Sequence, residues 1–395
     1  MQYFSYLDQR EKEAIFALPP ADLTENMDKQ TLALALGATL YIPANSPKVA
    51  QKLVRDDMPG LVSTVLCLED AVGDDMVAAA EGNLQVQLKE LLKQRENGRN
   101  LPFIFIRVRN LEQMKRLIVN LGSALSVLTG FVFPKFDPEA DWQYFAELQR
   151  VNHSLAKPLY GMPILETPRV IEQPTRVAEM LKIKAVLDSY ADLVLNVRMG
   201  ATDLSGLFGI RRSYEFTIYD IAVIRDFIAD LLNIFGRPQG GYVISGPVWE
   251  YFGTKERVLK PQLRKTPFLE QYGDAGLNVR RQLVSKYVDG LIKEVLLDKA
   301  NGIVGKTIIH PSHLVPVQAL YAVTMEEYLD AMDILDHEKG GVSKSIYQNK
   351  MNEAKPHTNW ANKIMKLAKI YGVINERHDH ASIIYAGAKK LQHIG

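Results

Sequence analysis

Eight short apolar runs, each followed by a stretch of helical character, set the strongest limit on how this chain can fold. They are Thr39–Ile42, Leu61–Leu68, Phe103–Ile106, Gly130–Phe133, the run from Leu159 to Leu165, Leu193–Val197, Tyr242–Ser245 and Thr307–Ile309. Runs of this length read as buried strands, and strands that alternate with helices pair in parallel, because a parallel neighbour needs a long crossover. Eight repeats of one strand–helix unit argue for closure into a (β/α)8 barrel. Periodicity alone also allows an open, doubly wound sheet. The expected fold class is α/β, a TIM barrel with an N-terminal extension and a C-terminal helical appendage.

Residues 1–31 form the extension, with a helix over Gln9–Ala17 stopped by Pro19-Pro20. Residues 32–323 hold the barrel, interrupted between its last two strands by a polar, Pro/Gly-punctuated insertion at 254–280. Residues 324–395 are the appendage, expected to serve as a lid or oligomerisation segment. Thr324 with Glu326-Glu327 opens a helix, Gly340-Gly341 breaks the chain, and Asn359–Tyr371 is helical again. The end, with His378, His380 and His393, reads as a solvated tail.

Lys and Arg number 47 against 46 Asp and Glu, a net charge of +1 that points to neither nucleic acid nor an acidic membrane. Cys67 is the only cysteine, which excludes an intrachain disulfide and a cysteine-rich zinc site and fits a reducing cytosol. Met1–Arg10 lacks the pattern of a signal peptide, and Leu32–Ile42 is too short to span a bilayer. A cytoplasmic protein is expected.

The strand ends carry the chemistry. In Gly161–Arg169, GMPILETPR, the apolar run stops at Glu166, and Thr167-Pro168 gives an N-cap followed by proline at the first helical position. The next run leads through Arg198-Met199-Gly200-Ala201-Thr202 to Asp203. Two carboxylates at the same end of neighbouring parallel strands can converge on one hard cation, and Mg²⁺ suits oxygen ligands with open positions. Helix capping is the plainer reading of both acids. Arg107 ends the third run in IRVRN, where a guanidinium can bind a carboxylate or stabilise an enolate, or pair structurally with Glu69 or Asp70. Glu69-Asp70 can orient Arg107 and metal-bound water, or cap a helix. Lys135, after Pro134, can bind an acid or a phosphate. His310-Pro311 ends the eighth run as a base or as a structural histidine.

In order along the chain stand LYIPANSPK (Leu40–Lys48), CLEDAV (Cys67–Val72), IRVRN (Ile106–Asn110), GFVFPK (Gly130–Lys135), ILETPR (Ile164–Arg169), GATDLSGLFG (Gly200–Gly209) and GKTIIHPSHLVPV (Gly305–Val317). This series resembles the citrate lyase beta-subunit-like branch of the HpcH/HpaI aldolase superfamily. It is most similar to the subgroup of carbon–carbon bond lyases of the TIM-barrel fold found in tellurium-resistance and stress gene clusters. The resemblance implies that Glu166 and Asp203 are Mg²⁺ ligands. It further implies that Arg107 binds substrate and enolate, and that Glu69 and Asp70 are the acidic pair near the metal. With Arg107, we place Asn45, Pro134 and Lys135 on the substrate. The resemblance also implies a homo-trimer or hexamer whose C-terminal segment covers a neighbouring subunit's mouth.

The chain departs from the family in three places. Cys67 begins the acidic motif, Ala44 and Ser46 replace a glycine and an arginine in the first loop, and Glu353 stands in QNKMNEAKP (Gln348–Pro356) where an aspartate is expected. The resulting expectation is a Mg²⁺-dependent lyase or aldolase acting on a 2-oxoacid-like or 3-hydroxyacyl substrate. Its rivals are an acyl-coenzyme A lyase or thioester hydrolase on the same site, and a non-catalytic metabolite-binding component of a stress-response assembly.

Overall fold

In a computed structural model of the chain, residues 1–24, 26–54, 58, 60–252, 286–337 and 340–392 are described. The eight runs form eight parallel strands: β1 Ala38–Pro43, β2 Ser63–Cys67, β3 Phe103–Arg107, β4 Gly130–Phe133, β5 Tyr160–Leu165, β6 Val197–Met199, β7 Ile244–Ser245 and β8 Lys306–Ile308. Each pairs with its neighbour in chain order, and β8 returns to β1. A bridge between Gly246 and Lys306 joins β7 to β8, with Gly246 N donating to Gly305 O at 2.9 Å and Thr307 N to Gly246 O at 3.1 Å. The sheet is therefore a barrel and not an open layer.

Side-chain alternation explains why these strands need both an inside and an outside. On β3, Phe103 and Phe105 join Val65, Val132, Met162 and Ile164 in one apolar cluster, while Ile104 and Ile106 join a second with Leu84, Leu88, Met114 and Leu117 of the flanking helices. A strand buried on both faces has no polar side to show, which is why the runs read as continuous apolar segments.

The amino-terminal end of the barrel is closed by the two ends of the chain. Phe16–Leu18 pairs antiparallel with Val373–Ile374. Tyr3 Oη donates to Ala35 O at 2.9 Å and Tyr371 Oη to Leu34 O at 2.8 Å, their rings 4.4 Å apart. Gly37 (φ +53°) makes the turn into β1, where a β-carbon would overlap the Tyr3 hydroxyl. The helix Ala354–Tyr371 lies on this same side, with Lys363 Nζ on Gly302 O at 2.5 Å and Lys366 Nζ on Gln30 Oε1 at 2.6 Å.

Three expectations need correction. The first helix is Gln9–Ile15 and stops short of Ala17, because Phe16–Leu18 extends to pair with Val373–Ile374. The sixth strand starts at Val197, because Ala191–Leu193 winds into a 3₁₀ turn first, so Arg198 belongs to a strand and not to the following loop. The tail is a packed helix, His380–Gln392, whose Ala381, Ile383, Ile384 and Ala386 recur at helical spacing and are buried. His380 lies against Ala322 O at 2.9 Å. The 254–280 insertion and His393 lie outside the described residues. Among those residues, no helix is long and apolar enough to cross a membrane.

Candidate active site

Parallel strands deliver their last residues to one end of the barrel, and six expected site residues meet there. Arg107, the last residue of β3, is 9% exposed. Its Nη2 donates to Glu69 Oε2 and, at 2.6 Å, to Asp70 Oδ2, both in the turn after β2. Lys135, after β4, sends Nζ to Glu69 Oε1 at 2.5 Å and lies 3.6 Å from Asp70 Oδ1 and from Asp203 Oδ1. The structural pairing of Arg107 with Glu69 and Asp70 therefore exists, and it exists at the mouth.

Glu166 follows β5 and is 4% exposed. The Lys135 backbone N–H donates to its Oε1 at 2.9 Å. Lys135 holds φ +50°, a conformation that side-chain-bearing residues rarely adopt and that often marks a functional site. Thr167 takes the N-cap position of a short helix, without a side-chain capping bond, and Pro168 its first position. Gly200 passes so close that a β-carbon there would overlap Glu166 Oε2 and lie 2.6 Å from Glu166 Cβ. Asp203 sits in the first turn of the helix Ala201–Leu207, one step beyond a strand end.

Burial first, then the charge of Asp203, push the Glu166 carboxyl up to about 8, against the Lys135 N–H and the Arg107 and Lys135 charges. Burial also opposes the Lys135 ammonium, but the hydrogen bond to Glu69 and the charges of Glu69, Asp203 and Asp70 outweigh it and hold its pKa above the ordinary range. Two carboxylates crowded in this way gain from a shared cation. Their donors are all hard oxygens. No group of three or more His, Cys, Asp or Glu that could hold a metal occurs among the described residues, so a cation held by Glu166 and Asp203 would keep open positions for water and substrate.

Pro134 is buried beneath Lys135, whereas Asn45 stands exposed on the turn after β1, outside the contacts that join the other six. His310 and His313 lie beyond β8. His310 stacks on Phe252 with ring centroids 4.6 Å apart, and His313 is fully buried against Tyr251 O at 3.1 Å, which gives both a packing role.

Sequence reasoning singles out neither Arg109 nor Arg198. Arg109 ties down the turn that carries Glu69 and Asp70: Nε donates to Leu68 O at 2.7 Å, Nη2 to Val72 O at 2.5 Å and Nη1 to Asp74 at 2.5 Å. Its place two residues after Arg107 in IRVRN was the available signal. Arg198 lies inside the barrel, where its guanidinium and that of Arg107 both stand over the Tyr41 ring, at 5.6 and 5.8 Å from the centroid.

A closed parallel barrel with a charged, acid-lined mouth defines a TIM-barrel enzyme. The family model described as C-C bond lyase of the TIM-barrel fold matches residues 30–373, and the chain belongs to that family of lyases. Among solved structures, a citrate lyase from Burkholderia xenovorans LB400 is similar at 13% identity and a TM-score of 0.57, covering 88% of this chain and 96% of that one. CitE from Mycobacterium tuberculosis, in complex with magnesium, acetoacetate and coenzyme A, is 19% identical with a TM-score of 0.49, covering 85% and 99%. The malate synthase of Haloferax volcanii, in a pyruvate/acetyl-CoA ternary complex, is 12% identical with a TM-score of 0.45, covering 84% and 89%. No curated protein matches.

Proposed function

We propose that this protein is a Mg²⁺-dependent carbon–carbon lyase or aldolase acting on a 2-oxoacid-like or 3-hydroxyacyl substrate. The observation that carries this reading is the convergence of Glu166 and Asp203 at the mouth that also holds Arg107, bridged by Lys135. Glu166 and Asp203 would hold the cation, which when bound would supply Lewis-acid polarisation of the substrate. Arg107 offers its guanidinium to the oxygen that gains charge as the bond breaks, and the enolate is stabilised by a donor already in place. Glu69 and Asp70 fix the plane of that guanidinium, and Arg109 fixes their turn. Gly200 keeps Glu166 in its slot. Lys135 and Pro134, with Asn45 on the neighbouring turn, complete the substrate side.

Thermal melting tests the substrate class, because a ligand bound only by the native state raises its stability. Pyruvate, oxaloacetate or glyoxylate with Mg²⁺ is expected to raise the melting temperature, and Arg107→Ala to abolish the rise. Acetyl-coenzyme A is expected to shift it little, since Ser46 stands where relatives carry a loop arginine. A shift with acetyl-coenzyme A and none with any oxoacid reverses the assignment.

We also propose a homo-trimer or hexamer, with residues 324–395 at the subunit interface. In the hairpin Val342–Lys344/Met351–Glu353, Val342, Ile346 and Met351 are 57–61% exposed, apolar surface that self-association would cover. Light scattering that returns a 44.5 kDa particle at micromolar concentration contradicts this.

A further inference from the structure

Inside the barrel lies a positive charge that no carboxylate neutralises among the described residues. Arg198 is 2% exposed, and its hydrogen bonds go to Thr307 Oγ1 at 2.9 Å and, weakly, to Met162 Sδ at 3.8 Å. Its Nε has no partner. The acids around the barrel do not pair with it: Glu69, Asp70 and Asp203 lie against Arg107 and Lys135, Glu294 and Asp298 against Arg212 and Lys306, and Glu166 accepts the Lys135 backbone N–H and forms no ion pair with Arg198. Ser245, in register with Arg198 and on the same face of the sheet, has a buried hydroxyl without a partner. Asn196, two residues earlier on β6's approach, has both amide atoms buried without partners.

A buried guanidinium without a carboxylate is costly, and a second cation beside it adds to the cost. Burial foremost, and then the nearby Arg107, lower the pKa of Arg198, while Tyr41 acts the other way. Tyr41 is the half-buried ring that both guanidinium groups face. A fold tolerates such an unpaired group where a bound ligand supplies the missing charge.

We propose that Arg198, with Tyr41, is the anion-binding floor of the substrate site, and that it selects a dicarboxylate. The 2-oxoacid end lies at Glu166, Asp203 and Arg107, and the second carboxylate is drawn toward the floor by the field of Arg198. Contact is not required, because charges act strongly across a water-poor interior. This inference rests on the oxoacid reading above. It makes Arg198 a specificity-determining residue, unlike an arginine kept for packing.

The test compares wild type, Arg198→Met and Arg198→Lys in the full chain. Binding is measured by calorimetry with Mg²⁺ and two dianions, oxaloacetate and 2-oxoglutarate, against the monoanions pyruvate and 2-oxobutyrate. Melting is measured without ligand. Arg198→Met is expected to weaken the better dianion about tenfold or more, to leave the monoanions within about twofold, and to melt at or above the wild-type temperature. Arg198→Lys, which keeps the charge, is expected to retain most of the preference for dianions. Dianion affinity unchanged in Arg198→Met overturns this inference alone. Equal losses for both ligand classes in both variants, with lowered melting, also overturn it and assign Arg198 to packing. Wild-type protein that binds no oxoacid overturns this inference together with the oxoacid reading.

Discussion

Two of the charged clusters on this barrel, one on the outer wall at β8 and one at the mouth, are built differently. On the wall, Lys306, Glu294 and Asp298 are fully buried, with Lys306 Nζ 2.9 Å from Glu294 Oε1 and 2.8 Å from Asp298 Oδ2. Arg212 also pairs with Glu294, Ile218 N donates to it at 2.7 Å, and Tyr219 Oη donates to Asp298 at 2.7 Å. That group is closed, and its charges answer one another. At the mouth the side chains of Lys135, Asp70 and Asp203 are 47%, 54% and 32% exposed, and the Glu166 carboxyl is held by a single N–H. The difference teaches that a cluster of charges on a strand does not by itself mark a site. An arrangement with unspent oxygen lone pairs facing solvent does.

The comparison breaks most readily at the wall. Lys306→Met leaves Asp298 buried without a cation, and Glu294 with Arg212 alone, and is expected to cost about 3–5 kcal/mol in denaturant unfolding. Asp203→Asn, at the open mouth, is expected to cost less than about 1 kcal/mol. Comparable losses would erase the distinction between the two groups. For metal the order reverses. Glu166→Gln and Asp203→Asn are each expected to weaken Mg²⁺ binding at least about tenfold in calorimetric titration, while Tyr219→Phe on the wall leaves it unchanged.

Acid sharpens the contrast from a third direction. Burial, foremost, lowers the pKa of His313, beyond β8, and of His380, in the appendage, to about 4 in each case. The unfolded chain takes up these protons near pH 6.5, before the folded chain does, so stability is lost as pH falls through that window toward 4. Each histidine is expected to cost about 1 kcal/mol between pH 7 and 5.5, and His313→Gln to flatten part of the profile. A melting curve that does not change with pH over this range would remove the packing role given to His313 and the buried contact of His380 with Ala322. The smallest effect concerns Arg109. Arg109→Ala frees the Glu69–Asp70 turn and is expected to lower oxoacid affinity a few-fold, about 1 kcal/mol, with Mg²⁺ affinity unchanged. Loss of both affinities together would place Arg109 in the metal site instead.

The barrel was legible because its strands are buried on both faces, which leaves eight apolar runs, and because each run ends in a polar or special residue at the same end. Glu166, Arg107 and Glu69 could be read for that reason. The place of Asp203 at the mouth could be read although it sits in the first turn of a helix, since its run led toward the same end. Arg198 was hidden by a register error: with the sixth strand taken as Leu193–Val197, an arginine at 198 reads as loop, and one residue of slip changes which face a side chain serves. The packing of the tail escaped because its three histidines outweighed the apolar spacing at 381, 383, 384 and 386. The pairing of Phe16–Leu18 with Val373–Ile374 joins residues too far apart in the chain for local pattern to reveal.

The central claim is that Glu166 and Asp203 together hold a divalent cation at the mouth. Mn²⁺ takes the same oxygen ligands as Mg²⁺ and scatters anomalously. In crystals grown with Mn²⁺ and oxaloacetate, the account predicts an anomalous peak within bonding distance of both carboxylates, with Arg107 turned to the ligand. A map with no peak at that pair, or one in which manganese sits elsewhere and Glu166 and Asp203 stay bare, would contradict it.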